Sequence, residues 1–600
     1  MKSFFFLLIP AVVLIRLGFP PFNLAPLTLA GWAIMLSYIL SESRTMSRAL
    51  GGAWLAGFIW NLSMTVYVAF PHWATSIGWV ALSAYLAVYW LVWAWGCRLA
   101  LQKKIPMWFA APILWAGLEL IQGHLLSGFL LNQQAIAFYK APVLLQLAEY
   151  CGSYVVSFIL MLLSALVYHA WKNYSEGQKP LLALLSIFLV VGLVAGIGIF
   201  ILNETNDKLS FDNNPIKDGE FTLISGEESA PTLNIALIQG NTPCLVDCKP
   251  EHIEERFSRY CAKSFDALSS SPRPDIIVWP EGMFRFPRIE ISDKEPVPDP
   301  NFKGTKEQFL EILRHNSETY QPMIGNWAKN FDACFITGVD RCVFSGEDIL
   351  MYNSVVAVDS YGRDIGQYDK RHLVLFGEYI PFSDQIPILK QITPVGGGMQ
   401  SGKRVVLPLT FQKENGTNAI IAKTEESDAS GNDNSDWTFL PSVCYENTLP
   451  HIIGHQVLKA KQPVDALLNL SNDGWFKGCF ENELRMAQSV FRAIETRKTH
   501  IVSCNSGISA HIDPTGHILQ HGDRETPSFW GGTVKNEYIP ISLKKSGLRN
   551  YITTYTQYGD AFAGCCLFLS LTLLFNPLVQ PLKSSKSESE EGKIDNLEKK

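Results

Sequence analysis

The stretch "FLPSVCYENTLP", residues 439–450, decides the fold of the second half of the chain. An apolar run leads directly into Cys444, and Tyr445 and Glu446 follow it. The run predicts a buried strand that ends at the cysteine, because short apolar runs bounded by turn residues are typical of buried strands. A free cysteine is most often a small, buried core residue. A nucleophile at the strand end therefore needs support from the rest of the chain.

Similar apolar runs recur on both sides of this stretch and alternate with amphipathic segments. The predicted strands are 233–240, 275–280, 334–339, 353–359, 439–446, 465–472 and 499–505. The predicted helices between them are 251–269, 303–320 and 480–497. This alternation predicts an α/β domain whose strands are buried on both faces and whose site lies at strand ends.

The first third of the chain is mostly apolar. A helix needs about 20 apolar residues to cross the hydrocarbon core of a membrane. We therefore predict a polytopic helical membrane domain of about eight spans together with the extramembrane α/β domain. The predicted spans are 3–21, 24–41, 51–70, 76–100, 107–127, 144–171, 181–202 and 561–580. The net charge of −6 over 600 residues gives no basic surface for nucleic acid.

These patterns divide the chain into five parts. They are a membrane domain of seven spans at 1–202, a linker at 203–232, the α/β catalytic domain at 233–557, the eighth span at 558–582 and a charged, disordered tail at 583–600. Residues 423–437 are acidic and of low complexity, which predicts a surface insertion in the α/β domain.

Basic residues predict the orientation in the membrane. They follow the second, fourth, sixth and eighth spans, and the alternate loops hold almost none; examples are Arg44, Arg48, Lys103, Lys104, Lys172 and Lys179. Positive charge marks the cytoplasmic side. We therefore expect a multi-pass protein of a bacterial inner membrane, with both termini in the cytoplasm and the α/β domain in the periplasm.

Four polar residues leave alternatives open. Arg16 and Glu119 fall within predicted spans. An ionisable group there forms a structural ion pair, extends to the membrane interface or contacts substrate. Cys244 and Cys248 are close enough for a loop disulfide, but two free thiols fit the sequence as well. Because no pair of C-x-x-C motifs is present, we expect no metal.

Three predicted strand ends carry the groups that acyl transfer needs. Glu281 follows "DIIVWP", Lys370 and Glu378 lie in "YDKRHLVLFGEYIPF", and Cys444 follows "FLPSV". A thiol needs a base to become the thiolate nucleophile, and a buried glutamate can serve. A cation beside the attacked carbonyl stabilises the oxyanion. Each residue alone is more often a solvated turn residue or a surface charge, so their combination carries the hypothesis.

The order Glu281, Lys370, Cys444 resembles the nitrilase (carbon–nitrogen hydrolase) superfamily. Together with the membrane spans, the chain resembles the apolipoprotein N-acyltransferase family within it. The motifs that carry this resemblance are "GFPPFNL" (18–24), "LQLAEYCGSYVVSF" (145–158), "WPEG" (279–282), "NLSNDGWF" (469–476), "RMAQSVFRAIETRK" (485–498) and "NSGISAHIDPTG" (505–516). The resemblance implies an αββα sandwich, a Glu-Lys-Cys triad and no cofactor.

The resemblance also implies roles for the triad. Cys444 takes an acyl chain from a membrane phospholipid as a thioester. Glu281 is the general base for the thiol and returns the proton to the departing alcohol. Lys370, with the backbone N–H of Tyr445, stabilises the oxyanion. The implied acceptor is the α-amino group of the N-terminal diacylglyceryl-cysteine of an apolipoprotein, so the implied function is the last step of lipoprotein maturation.

Further residues receive implied roles around the triad. Glu378 and Glu446 are supporting acidic residues, and Asn472, Trp475 and Phe476 contact substrate.

The chain departs from the family where Glu483 and Arg485 occupy a region that often holds a histidine, and no tryptophan follows "QGN". Two alternatives remain: a membrane-tethered amidase or nitrilase-type hydrolase that uses water, and a non-enzymatic membrane protein for binding or transport.

Overall fold

A computed structural model describes most of the chain. The described residues are 2–209, 231–244, 249–299, 302–380, 385, 398–403, 408–414, 419–422, 436–522 and 537–575. Most of the predicted linker, residues 423–435 of the predicted insertion and the predicted tail lie outside the described residues. Cys248 lies outside them as well, so the disulfide hypothesis stays a prediction.

The amino-terminal part is helical. Its helices are α1 (Lys2–Leu17), α2 (Pro26–Leu40), α3 (Met46–Met64), α4 (Thr75–Gln102), α5 (Met107–His124), α6 (Pro142–Leu145), α7 (Ala148–Cys151), α8 (Ser153–Ser175) and α9 (Leu181–Leu209). Four helical segments among the described residues are long and apolar enough to cross a membrane: Thr75–Gln102, Met107–Ser127, Ser153–Ser175 and Leu181–Leu209. Segments Leu7–Leu17, Pro26–Leu40 and Ala561–Phe575 are apolar but shorter. Several apolar helices are therefore confirmed, and eight spans stay a prediction.

The span predicted at 144–171 is interrupted. Gly152 separates α7 from α8 and has a φ of +69°, which disfavours any residue with a side chain. A Cβ at Gly152 would lie 2.6 Å from the ring of Tyr555, so the backbone also passes too close to this ring for a larger residue. The long helix begins only at Ser153.

The rest of the chain contains two sheets and the helices that cover them. The strands are β1 (Thr232–Gln239), β2 (Ile276–Trp279), β3 (Arg288–Ile291), β4 (Cys334–Ser345), β5 (Asp348–Val358), β6 (Asp364–Asp369), β7 (Leu409–Lys413), β8 (Ile420–Ala422), β9 (Asp436–Val443), β10 (Ala466–Ser471), β11 (Thr499–Cys504), β12 (Ala510–Ile512), β13 (Ile518–His521) and β14 (Glu537–Lys544). The helices are α10 (Pro250–Leu268), α11 (Lys306–Phe331), α12 (Pro450–Lys459), α13 (Glu481–Thr496), α14 (Thr554–Tyr558) and α15 (Ala561–Phe575).

Both sheets are mixed, with parallel strands at their centres. The first has the order β14-β1-β2-β4-β5-β6, with β3 paired to β4, and the second has the order β13-β12-β11-β10-β9-β7-β8. In the first sheet β1, β2 and β4 run parallel, and in the second β9, β10 and β11 do. The carboxyl ends of these parallel strands are where a site is expected.

The sheets pack face to face and are covered by helices on the outside. Leu237 and Val278 of the first sheet share one apolar core with Phe439 and Leu468 of the second. Helices α10 and α11 cover the outer face of the first sheet, and α12 packs on the outer face of the second. The predicted αββα nitrilase-like fold is confirmed.

Helix α13 joins the two parts of the molecule. All of its 16 residues are buried, although the sequence shows an amphipathic pattern. Its apolar residues belong to the same core as the amino-terminal helices, as Leu484 and Trp60 illustrate. The helix lies between the second sheet and the helical part, so its charged side chains must find partners inside the protein.

Arg16 and Glu119 make structural contacts. Arg16 donates to the backbone oxygen of Pro20 at 2.6 Å, and its guanidinium lies 4.5 Å from the ring centre of Phe480. Glu119 accepts hydrogen bonds from the Trp115 indole at 2.8 Å and from the backbone of Gln134 at 3.0 Å. These contacts favour the structural alternative for both residues.

Candidate active site

Cys444 lies at a sharp turn directly after β9. It is the first residue of a 3-10 helix, Cys444–Thr448, and its φ is +52°. A non-glycine residue in this left-handed region is strained and is held there by its surroundings. The turn leaves Cys444 half-buried at the end of an otherwise buried strand, as a nucleophile requires.

Glu446 fixes this turn. Its buried carboxylate accepts backbone N–H groups of Val443 at 2.8 Å, Arg371 at 2.8 Å and His372 at 3.0 Å. The Tyr368 hydroxyl also lies 2.9 Å from both carboxylate oxygens. The turn that carries Cys444 is thereby tied to the segment that carries Lys370.

Replacing Glu446 with glutamine is expected to lower the free energy of unfolding by about 2–3 kcal/mol, because buried N–H groups lose a charged acceptor. Backbone N–H groups point at both carboxylate oxygens, so either orientation of the amide places its NH2 against a donor. Chemical unfolding of the detergent-solubilised protein, followed by tryptophan fluorescence, measures the loss. The exposed Glu347→Gln is the control, and equal stability of the two variants would contradict this role.

Glu281 follows β2 and is held by two neighbours. Its Oε2 accepts the backbone N–H of Asn472 at 2.9 Å, and its Oε1 accepts the Asn353 amide at 2.6 Å. Burial raises the pKa of Glu281, and the nearby charge of Lys370 opposes this rise. A carboxylate with a raised pKa is a stronger proton acceptor, as a general base requires.

Lys370 follows β6 and lies between two carboxylates. Its side chain is 1 % exposed, with Nζ 2.8 Å from Glu378 Oε1 and 3.8 Å from Glu281 Oε1. Burial acts to lower the pKa of Lys370, but its electrostatic interactions with the Cys444 sulfur and with the carboxylates of Glu378 and Glu281 outweigh it and raise the pKa above the usual value. Lys370 is therefore a fixed cation beside the nucleophile.

Glu378 anchors this cation. Besides accepting from Lys370, it accepts the Asn353 amide at 3.2 Å and the backbone N–H of Val374 at 2.9 Å. The structure thus brings Glu281, Lys370 and Glu378 into one hydrogen-bonded group.

The Cys444 thiol requires assistance to ionise. Burial and the charge of Glu281 raise the pKa of the thiol to about 11, although Arg485 and Lys370 oppose the rise. A thiol with this pKa is protonated near neutral pH. The arrangement therefore suits proton transfer to Glu281 as the sulfur attacks, rather than a thiolate that is present beforehand.

The three predicted substrate-contacting residues follow β10. Asn472 Oδ1 accepts from Asn505 at 2.9 Å and from the Cys244 thiol at 3.1 Å, so this side chain is engaged within the protein. Trp475 is 38 % exposed, and the Phe476 ring lies 5.3 Å from that of Tyr67 in the helical part. Trp475 is the member of this group that is free to meet substrate.

Tyr445 contacts the helical part as well. Its hydroxyl donates to the backbone oxygen of Gly128 at 2.8 Å. This bond fixes the residue directly after Cys444, while its role as an oxyanion donor stays a prediction.

Comparison with known proteins agrees with the fold. Residues 234–535, just over half of the chain, match the carbon–nitrogen hydrolase family. The chain belongs to this family. Residues 11–166 match the amino-terminal domain of apolipoprotein N-acyltransferase, so the resemblance that the motifs indicate is confirmed in both parts.

Relatives named apolipoprotein N-acyltransferase match almost the whole chain. The protein from Geobacter metallireducens is 25% identical over 567 residues, which cover 92% of this chain and 91% of the relative. The protein from Rhodopirellula baltica is 26% identical over 546 residues, covering 85% and 87%. Among solved structures, a nitrilase-superfamily protein from Saccharomyces cerevisiae is 16% identical, with a TM-score of 0.30 over 52% of this chain and 90% of that one.

Two residues of this candidate site have no role predicted from the sequence. Asn353 bridges Glu281 and Glu378, yet in the sequence it is only the polar first residue of the predicted strand 353–359. Arg485 donates from Nη2 to the Cys444 sulfur at 3.5 Å, and the sequence marks it only as a departure from the family pattern.

One group of side chains has the composition of a metal site. Among the residues that the structure describes, the ligand atoms of His124, His451 and Asp560 lie within 4.8 Å of one another. The two imidazole rings stack at 4.2 Å with planes 24° apart, and His124 lies 3.4 Å from Asp560. A metal ion lies in the plane of each imidazole that binds it, and nearly parallel stacked rings do not converge on one ion. The arrangement therefore favours stacked rings with a contact between His124 and Asp560 over a metal site.

Proposed function

We propose that this membrane protein transfers a fatty acyl chain from a phospholipid, through a thioester on Cys444, to the amino group of a diacylglyceryl-cysteine at an apolipoprotein N-terminus. The observation that carries the proposal is the hydrogen-bonded group of Glu281, Lys370 and Glu378, of which Glu281 and Lys370 act electrostatically on the thiol of a strained, strand-end cysteine. The match of the helical part to an acyltransferase domain supports a substrate that lies in the membrane.

The first half-reaction forms the thioester. The Cys444 sulfur attacks the ester carbonyl of the phospholipid while Glu281 accepts the thiol proton. The carbonyl electron pair moves to oxygen, where Lys370 and the Tyr445 N–H stabilise the negative charge; one such donor is worth about 3–4 kcal/mol. When the carbonyl reforms, the ester C–O bond breaks, and Glu281 returns the proton to the departing lysophospholipid alcohol.

The second half-reaction transfers the acyl group. The acceptor amine attacks the thioester carbonyl, and Glu281 takes the proton that the amine loses. The carbon–sulfur bond then breaks, the amide is complete, and the proton returns to the Cys444 sulfur. Because the acyl group rests on the protein between the two substrates, the kinetics are ping-pong.

The same proposal includes the placement in the membrane. The α/β domain lies on the periplasmic side of the inner membrane and both termini lie in the cytoplasm, because basic residues follow alternate spans. The proposal keeps eight spans, the sixth of which begins at Ser153. It also keeps the predicted boundaries of the linker, the acidic insertion and the charged tail. In this proposal Trp475 contacts substrate. Phe476 and Asn472 are held by contacts within the protein and line the substrate site.

A transfer assay tests the proposal. The purified protein is incubated in vesicles of phosphatidylethanolamine and phosphatidylglycerol with labelled acyl chains, together with a synthetic diacylglyceryl-cysteine peptide. We expect the label in an amide on the peptide, and none on the same peptide with an acetylated amino group. Label released only as free fatty acid would contradict transfer and favour the tethered hydrolase. Absence of any lipid turnover would favour the binding or transport alternative.

A further inference from the structure

A second cation reaches the nucleophile from helix α13. Arg485 is 8 % exposed, and its Nη2 donates to the Cys444 sulfur at 3.5 Å. The same nitrogen donates to the Ser471 hydroxyl at 2.7 Å. The guanidinium thus lies between the end of β10 and the turn that follows β9, with one N–H edge toward the reacting atom.

Carboxylates on the far side hold this guanidinium in place. Arg485 Nε lies 3.2 Å from Asp473 Oδ1 and 3.7 Å from Glu481 Oε1. The Ser471 hydroxyl in turn donates to Asp473 at 2.7 Å. A planar guanidinium fixed on two edges has little freedom, so the contact with sulfur costs little further side-chain entropy.

The contact has an electrostatic consequence for Cys444. The charged groups that face the sulfur are Glu281 after β2, Lys370 after β6, Asp473 after β10 and Arg485 on α13. Of the two cations, Arg485 opposes the rise of the thiol pKa more strongly than Lys370 does. Both cations are paired with carboxylates, Lys370 with Glu378 at 2.8 Å and Arg485 with Asp473 at 3.2 Å. Arg485 in addition directs an N–H at the sulfur itself.

We propose that Arg485 is a further catalytic residue, which stabilises the Cys444 thiolate by a charged hydrogen bond in each half-reaction. As the S–H bond breaks and the proton moves to the Glu281 carboxylate, negative charge develops on the sulfur to which Arg485 donates. In the same step the sulfur electron pair forms the bond to the acyl carbon. When the amine displaces the sulfur, Arg485 again stabilises the leaving thiolate.

The two cations thus stabilise negative charge on different atoms. Arg485 stabilises it on the Cys444 sulfur, and Lys370 stabilises it on the carbonyl oxygen. The acyl-transfer part of the inference rests on the proposed function, whereas the effect on the thiolate does not.

Thiol alkylation tests the inference without lipid or acceptor. The full-length protein in detergent is treated with iodoacetamide between pH 7 and pH 10, and modification of Cys444 is followed by peptide mass spectrometry. Below the pKa of the thiol, the rate is proportional to the thiolate fraction. An opposite charge at this distance changes a pKa by about one to three units, so Arg485→Gln should slow alkylation roughly 10- to 1000-fold at each pH.

Two further variants separate electrostatics from structure. Arg492→Gln removes another buried arginine from α13, one that pairs with Glu495 at 2.9 Å, and its alkylation rate should equal that of the wild type. Arg485→Lys keeps the charge and should recover part of the rate. A merely structural role would loosen the turn in Arg485→Gln and leave the rate equal or faster, which would overturn the inference.

Two outcomes keep the test decisive. If Arg485→Gln does not fold, Arg485→Lys at the wild-type rate would overturn the inference, because a lysine loses the directed contact with the sulfur. Slowed alkylation in a protein that transfers no acyl chain would support the role of Arg485 and contradict the proposed function alone.

Discussion

Replacing Cys444 with alanine is expected to abolish acyl transfer while the protein stays folded. The sulfur is the only atom of this side chain that the reaction uses, and the turn is held by Glu446 rather than by the thiol. Transfer of a labelled acyl chain to the diacylglyceryl-cysteine peptide in vesicles measures the loss. We expect no turnover above background and a melting temperature close to that of the wild type.

Cys342→Ala is the matched control for this variant. Cys342 is a half-buried cysteine of β4, so its removal tests for a general effect of losing a thiol. It should keep wild-type turnover. Turnover by Cys444→Ala at a rate comparable to that of Cys342→Ala would contradict the assignment of Cys444 as the nucleophile.

Replacing Glu281 with glutamine is expected to slow thioester formation by about 100- to 10,000-fold, the range that general-base catalysis contributes. Glutamine fills the same space but cannot accept the thiol proton, and the thiol has a pKa of about 11. Single-turnover mixing with labelled phospholipid measures this step alone. Glu311→Gln, on the exposed face of α11, is the control. A rate within twofold of the wild type would refute the role of Glu281.

The wild-type reaction should also depend on pH through Glu281. Glu281 accepts a proton only when ionised, so the rate of thioester formation rises with pH through its pKa. Burial raises this pKa, and the rise in rate should therefore lie above the usual range of a glutamate, which is centred near about 4.3. The measurement is the single-turnover rate from pH 4 to pH 8. A rate that stays flat over this range would contradict a general base with a raised pKa.

Much of the α/β domain could be predicted from the sequence because its central strands are short apolar runs. Each of the seven predicted runs is a strand, for example β9 at Asp436–Val443 and β10 at Ala466–Ser471. The apolar runs do not predict strands β3, β6, β7, β8, β12, β13 and β14, because most of these are short or only partly buried. The predicted helix 303–320 runs on to Phe331 and includes Pro322, at which a sequence pattern is expected to end.

The site could be predicted in outline, since Glu281 and Cys444 each follow a predicted strand. Lys370 follows β6, which is not among the seven predicted runs, and Cys444 lies on the other sheet from Glu281 and Lys370. The contacts between the strand ends could not be predicted from the sequence. Asn353 bridges residues 72 and 25 positions away, and Arg485 reaches a sulfur 41 positions away. Such contacts depend on the packing of the two sheets and of α13, which leaves no local pattern in the sequence.

The intact mass of the protein after incubation with phospholipid alone tests the central claim most directly. The claim predicts a gain of one fatty-acyl chain that neutral hydroxylamine removes and that Cys444→Ala does not acquire. Hydroxylamine sensitivity identifies a thioester, and the variant places it on Cys444. No gain in mass while free fatty acid accumulates, or a gain that persists in Cys444→Ala, would contradict the account.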